Sequence, residues 1–142
     1  MPSLKPETAI RKLIADDVAI GALLGNRIFR NAAPQSAAYP LAVFDRDNTD
    51  VQRHMGGAEK LKHAQSTWTF YDEDADALDA LAELVEALLN GKTPTVTIAA
   101  KSITFETLFL DDQTDQILTP TDGKGRPVFQ IMQTYFVAYQ NE

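Results

Sequence analysis

The segment Asp72–Asn90 limits the fold more than any other part of the chain. Leu78, Leu81, Leu84, Val85 and Leu88 recur at the spacing that lines one face of a helix. Asp72 or Asp74 can cap its first turn, and Asn90-Gly91 can end its last. On both sides the period changes to two. In Gln65–Tyr71, Trp68 and Phe70 fall on one face, and Thr67, Thr69 and Tyr71 on the other. Val128–Tyr139 puts Phe129, Ile131, Tyr135, Val137 and Tyr139 on one side, while Ile103, Phe105 and Phe109 alternate along another stretch. A helix set between half-buried strands points to an α+β protein.

The rest of the chain fills in the order. Pro6 and Glu7 suit a first helical turn, and Ile10, Leu13, Ile14 and Val18 continue with helical spacing. Asp16-Asp17 restarts the helix or caps a second short one, whose apolar side is Ile20, Leu23 and Leu24. Gly25 fits the left-handed residue that ends it. Leu41, Val43 and Phe44 belong to one strand, and Val96 and Ile98 start another. The expected order is helices, two strands, helix, three strands. No repeat or linker divides residues 1–142, so one domain is expected. Its sheet should be antiparallel, or at most mixed, with the helices packed on one face. Two polar stretches, Asn48–Lys62 and Asp111–Arg126, read as long loops, and loops of that length usually serve a function.

Composition removes several functions. The chain has 142 residues and is 44% hydrophobic, enough to bury a core. With 20 acidic and 13 basic side chains it carries a net charge of −7 and lacks the basic footprint of a protein that grips nucleic acid. No cysteine is present, so disulfides, thiolate nucleophiles and cysteine zinc sites are excluded. This fits synthesis in a reducing cytoplasm. The start, MPSLKPETAIRK, has no apolar core of a signal peptide, and Val18–Leu24 is too short to span a bilayer, so no membrane role is expected.

Candidate chemistry is thin. Asp72, Asp74, Asp76 and Glu83 fall at positions 1, 3, 5 and 12 of a calcium-type loop, but Ala77 stands where that loop needs glycine. Carboxylates at a helix start complement its dipole, which is the simpler account. His54 and His63 are the only histidines, both read as loop residues without metal-ligand spacing. No serine lies in a GxSxG elbow. Gly123-Lys124-Gly125-Arg126 precedes a proline and a strand rather than a helix, unlike a phosphate loop. The aromatic residues Trp68, Phe70, Phe129, Tyr135 and Tyr139 suit a core better than a nucleic-acid platform in so acidic a chain. No catalytic, cofactor-binding or metal-binding residue is assigned. What remains is positive charge on the loops: Arg53, His54, Met55, Lys60, Lys62, Lys124 and Arg126 are the candidate interface residues. Either they are solvated loop residues or they meet an acidic neighbouring surface, another copy of the chain included.

A resemblance gives these features a context. Ala15-Asp16-Asp17, then Ala22-Leu23-Leu24-Gly25-Asn26-Arg27-Ile28-Phe29, then Pro34-Gln35, and Tyr39-Pro40 leading into a strand occur in that order. Trp68-Thr69-Phe70-Tyr71 then leads into the helix Ala77–Leu88. This succession resembles the tail-completion proteins of long-tailed bacteriophages and prophages, also described as tail terminators or tail-to-head joining proteins. The match covers most of the first 90 residues and the closing strand, and is weak over Lys92–Pro127.

The resemblance implies a small α+β subunit of a homo-oligomeric ring, typically a hexamer, at the head-proximal end of the tail. Such a ring stops tail-tube polymerisation and joins tail to head. The implied partners are further copies of the chain, the tail-tube protein and a head-completion or connector protein, with DNA passing through unheld. No catalytic residue or cofactor is implied. The protein would reside in the host cytoplasm during assembly and then in the virion tail. A ring of identical subunits requires two different complementary patches on each. A head-side connector or neck adaptor is the alternative within the virion. A small α+β ligand-binding or regulatory domain, or an unrecognised hydrolase, is the alternative outside it.

Overall fold

A computed structural model describes residues 5–33, 38–51, 62–118 and 127–141, with only the backbone path for 46–51 and 141. Helix α1 (Pro6–Asp16) begins on a proline, whose fixed φ suits a first turn and whose missing N–H would have no partner there. It buries Ala9, Ile10 and Ile14. Asp17 breaks the run in an extended conformation, and its carboxylate accepts from the Ile20 amide at 3.0 Å, capping α2 (Val18–Leu24). The break resets the helical phase. Val18, expected on the same apolar stripe as Ile10 and Ile14, is therefore 86% exposed. Gly25 ends α2 at φ 58° and ψ −126°, a conformation that a side chain would obstruct.

The next residues depart from expectation. Ile28–Arg30 is a strand, β1, parallel to β2 (Leu41–Val51), and its presence makes the sheet mixed. Arg27 fixes the approach. Its Nη2 donates to the Leu23 carbonyl at 2.7 Å, satisfying an orphan acceptor at the end of α2, and its Nε donates to the Pro40 carbonyl at 2.8 Å. One guanidinium thus ties the helix end to the entry of β2. A three-residue strand carries too little pattern to be read from sequence.

β3 (Lys62–Asp72), α3 (Ala75–Leu89), β4 (Thr95–Ile98), β5 (Lys101–Leu118) and β6 (Val128–Asn141) complete the described chain. The order across the six-stranded sheet is β1-β2-β3-β6-β5-β4, with all pairs but the first antiparallel. Two of the expected boundaries fail. Asn48–Val51 and Lys62 are strand rather than loop, and so is Asp111–Leu118. The last segment has the composition of a loop, yet every residue from Asp112 to Leu118 pairs with β6. Pairing to an apolar neighbour outweighs weak intrinsic preference.

Trp68, Phe70, Tyr135, Val137, Ile10, Leu24 and Leu81 belong to one buried cluster drawn from strands and helices. Phe44 stacks on Trp68 at 4.8 Å between centroids. The expected core aromatics Trp68, Phe70, Tyr135 and Tyr139 are buried, and Phe129 packs against them half-buried. Phe109, which alternates with Ile103 and Phe105 in the sequence, does not share their face. Register shifts between Phe105 and Thr107, and again between Leu110 and Asp112, mark bulges in β5. A bulge flips the side-chain parity, so Leu108 takes the core position. Phe109, 38% exposed, meets Phe136 at 5.3 Å instead.

The observed stripe of α3 is Leu78, Leu81, Ala82, Val85 and Leu89. Leu84, expected on that face, is 37% exposed, because it sits about 120° from the stripe centre at roughly 100° per residue.

Candidate assembly surfaces

The carboxylates before α3 serve the backbone. Asp74 Oδ1 accepts from the amides of Asp76 and Ala77 at 3.0 and 3.3 Å, and Asp72 Oδ1 from those of Glu73 and Asp74 at 2.7 and 3.4 Å. These bonds satisfy the free amides of a helix start. Among the described residues no group of three or more histidines and acids is placed to hold a metal. No described helix is long and apolar enough to cross a membrane.

A buried polar chain sets α3 on the sheet. The Tyr135 hydroxyl donates to Gln133 Oε1 at 2.7 Å, and Gln133 Nε2 donates to the Ala82 carbonyl at 3.1 Å and to Gln113 Oε1 at 3.0 Å. Gln133 and Tyr135 are fully buried. Each bond made in this low-dielectric setting fixes register, since sliding α3 would strand the amide without a partner. Burial, with the Glu86 carboxylate second, pushes the Tyr135 hydroxyl far above its ordinary pKa of 10.0. Sequence alternation placed Tyr135 in the core with Gln133 at the same parity, but gave no sign that Gln113 would reach them.

Beyond this chain the hairpin of β5 and β6 continues with little cover. Residues 111–118 of β5 are all exposed, Ile117 at 62%. The register places Gln113, Asp115 and Ile117 opposite Gln133, Ile131 and Phe129, on the side facing α3. The first turns of α3 cover that side only in part. A cleft of about 470 Å³ is left, with Leu78, Ile117, Phe129 and Ile131 as its apolar floor and Asp79 and Asp115 at its rim. Helix α3 carries Asp76, Asp79, Glu83 and Glu86, and residues 111–118 carry Asp111, Asp112 and Asp115, with no lysine or arginine in either. The cleft is thus apolar within and acidic around.

Of the seven interface candidates, Lys62 alone lies among the described residues. It opens β3, half-buried, opposite Val51 and Tyr139, and so belongs to a strand rather than a loop. Arg53, His54, Met55, Lys60, Lys124 and Arg126 lie outside the described residues. The strand register nevertheless fixes where their segments leave the sheet. Lys62 is level with Tyr139, whereas Asp72 at the other end of β3 is level with Phe129. The strand ends that flank 52–61 and those that flank 119–126 therefore lie at opposite ends of the sheet. His63, expected in a loop, lies in β3 with its ring edge-on to Phe136 at 5.5 Å.

At the opposite flank, Arg30 gathers α1 and β2. Its guanidinium lies over the Phe44 ring at 5.5 Å and 3.6 Å from the nearly buried Glu7 carboxylate. This group holds an element junction and opens onto a small, polar hollow of about 190 Å³.

What the fold and these surfaces define is a small α+β protein whose distinctive features lie at the ends of its hairpins. The same fold occurs in a solved chain described as "Virion of native gene transfer agent (GTA) particle", at a TM-score of 0.65 and 13% identity, covering 95% of this chain and 94% of that one. Sequence identity that low speaks for the fold alone. Family membership comes from the sequence: the family described as "Tail completion protein gp17" matches residues 8–119, and the chain belongs to it. It is accordingly a structural protein of a phage-type virion, located in the tail. No curated protein matches the chain in sequence.

Proposed function

We propose that the protein forms a homo-oligomeric ring, a hexamer in its expected form, at the head-proximal end of the tail. There it terminates tube polymerisation and joins tail to head. Residues 1–142 act as one tail-completion domain, made in the host cytoplasm and carried into the virion. Its partners are further copies of itself, the tail-tube protein and a head-completion or connector protein. Its work is done by surfaces and not by catalysis.

Beyond family membership, the observation that carries this reading is the half-covered apolar cleft beside α3, with acidic side chains around it. The cleft lies level with the Phe70–Asp72 end of β3, while residues 52–61, with the apolar Met55 and Leu61, join β2 to β3 at its Lys62 end. Two different, complementary patches per subunit are what a head-to-tail ring requires. On this reading the helices cover one sheet face. The opposite face, with Thr67 and Thr134 paired at 3.5 Å, is left for the lumen or a neighbour. An acidic lumen lets DNA slide without being held.

Addition of the purified protein to growing tail tubes tests the proposal. The expected result is arrested tubes with a ring on one end in electron micrographs. Binding to portal or adaptor rings, with tubes left bare, would move the protein to the head-side connector reading. A particle that stays monomeric or dimeric and never caps a tube would remove the ring altogether.

A further inference from the structure

We infer that the cleft between the first turns of α3 and the distal half of the β5–β6 hairpin receives segment 52–61 of a neighbouring copy. This inference rests on the ring reading and names the contact that would build it. The cleft offers an apolar floor, Leu78, Ile117, Phe129 and Ile131, with Asp79 and Asp115 on its rim. Ile117 is 62% exposed, although the strand register turns it toward the helix side. A partner that suits this site presents apolar side chains flanked by positive charge. Segment 52–61 reads QRHMGGAEKL: Met55 and Leu61 are its large apolar members, Arg53 and Lys60 its cations and Glu59 its one acid, and Lys62 follows at once. The unbranched Met55 side chain adapts to an irregular floor.

A chain cannot fill its own cleft in this way. The cleft lies level with the Phe70–Asp72 end of β3, while 52–61 is anchored at the Lys62 end. At about 3.3 Å per residue the length of β3 separates them by roughly 33 Å. A connection of this length that must return to its starting strand reaches at most about 17 Å. The donor must therefore be another molecule. Each copy then gives its segment to one neighbour and takes a segment from the other, a heterologous contact that closes into a ring when the rotation per copy permits. The chain's own residues 119–126, with Lys124 and Arg126, leave from the cleft end and are the competing occupant.

Complementary variants test the contact. Asp79→Arg with Asp115→Arg spoils the cleft, and Arg53→Glu with Lys60→Glu spoils the segment. Asp79 and Asp115 are exposed, so the fold should tolerate their change, and circular dichroism checks it. Alone, each double variant should assemble at least tenfold less than the unmodified chain at equal concentration. Mixed, the two should again form rings, now of alternating copies, because each unmodified segment meets an unmodified cleft and each charge-reversed segment a charge-reversed cleft. All four substitutions in one chain should restore rings. As a milder readout, the chain lacks cysteine, so Lys60→Cys on one copy and Asp115→Cys on another should give a disulfide-linked pair. Folded cleft variants that assemble at the unmodified yield, or a cysteine mixture without linked pairs, would overturn the inference and leave the ring reading standing. An unmodified chain that never assembles, alone or on tail tubes, would overturn both.

Discussion

The two halves of β5 share one strand and one partner yet answer to different demands. In the proximal half Ile103, Phe105 and Leu108 are buried, while in the distal half every residue from Asp111 to Leu118 is exposed. Both halves pair with β6. Backbone pairing therefore does not separate them; cover by other elements does. The proximal half is further held from the α3–β4 connection. The Phe105 amide donates to the Pro94 carbonyl, and the Leu110 amide to Asn90 Oδ1 at 2.9 Å. The distal half receives only the edge of α3. A strand held by pairing but left uncovered is a surface, and a cheap one to present, because its backbone is already ordered.

The largest expected effect sharpens that contrast. Phe105→Ala should cost about 3–5 kcal/mol in urea unfolding, since it empties a fully packed site. Ile117→Ala should change stability by no more than about 0.5 kcal/mol, because its side chain is mostly in water. Equal losses at the two positions would break the comparison. The Gln133 amide stands at the border between the halves. Gln133→Ala should cost about 1–3 kcal/mol by leaving the Tyr135 hydroxyl and the Ala82 carbonyl without their partner. The same change should quicken amide exchange along the distal half more than along the proximal half.

Two smaller effects follow. Asp74→Ala removes the cap over the first turn of α3, beside the cleft, and should lower stability by about 1 kcal/mol, read as a lower midpoint in thermal unfolding. Alkaline pH should act through Tyr135. Its folded pKa is raised, so the stability tied to its neutral form is complete below the unfolded value of 10.0 and is lost as pH rises beyond it. The unmodified chain should therefore lose stability above that pH more steeply than Tyr135→Phe. Parallel pH profiles for the two would show that the hydroxyl is not held as described.

Much of the fold was legible from residue patterns, and the failures have identifiable causes. Asp17 as a cap, Gly25 as a terminator, the strand containing Trp68 and Phe70, and the long helix α3 rest on local rules that work without tertiary knowledge. β1 leaves no signal in the sequence, because three residues show no period. Asp111–Leu118 has the composition of a loop because its polarity reflects what it faces, while strand pairing depends on the neighbour more than on composition. The alternation of Ile103, Phe105 and Phe109 does not carry through to the structure, because bulges, which reverse the parity, leave no trace in the residue pattern. The basic residues on segments 52–61 and 119–126 were visible as a group, but sequence could not tell that the two segments leave opposite ends of the sheet.

By itself the sequence determined the class of elements, their order, most of the core and the family, because these follow from periodicity, caps and the succession of local motifs. Only the tertiary structure decided which polar strand residues would be buried and which apolar ones left in the open. Gln133 is enclosed and Ile117 is not, although their side-chain polarity alone would place them the other way. The reason is physical: solvation depends on what packs above a residue. In this chain that is set by how far α3 extends over a hairpin longer than it can cover.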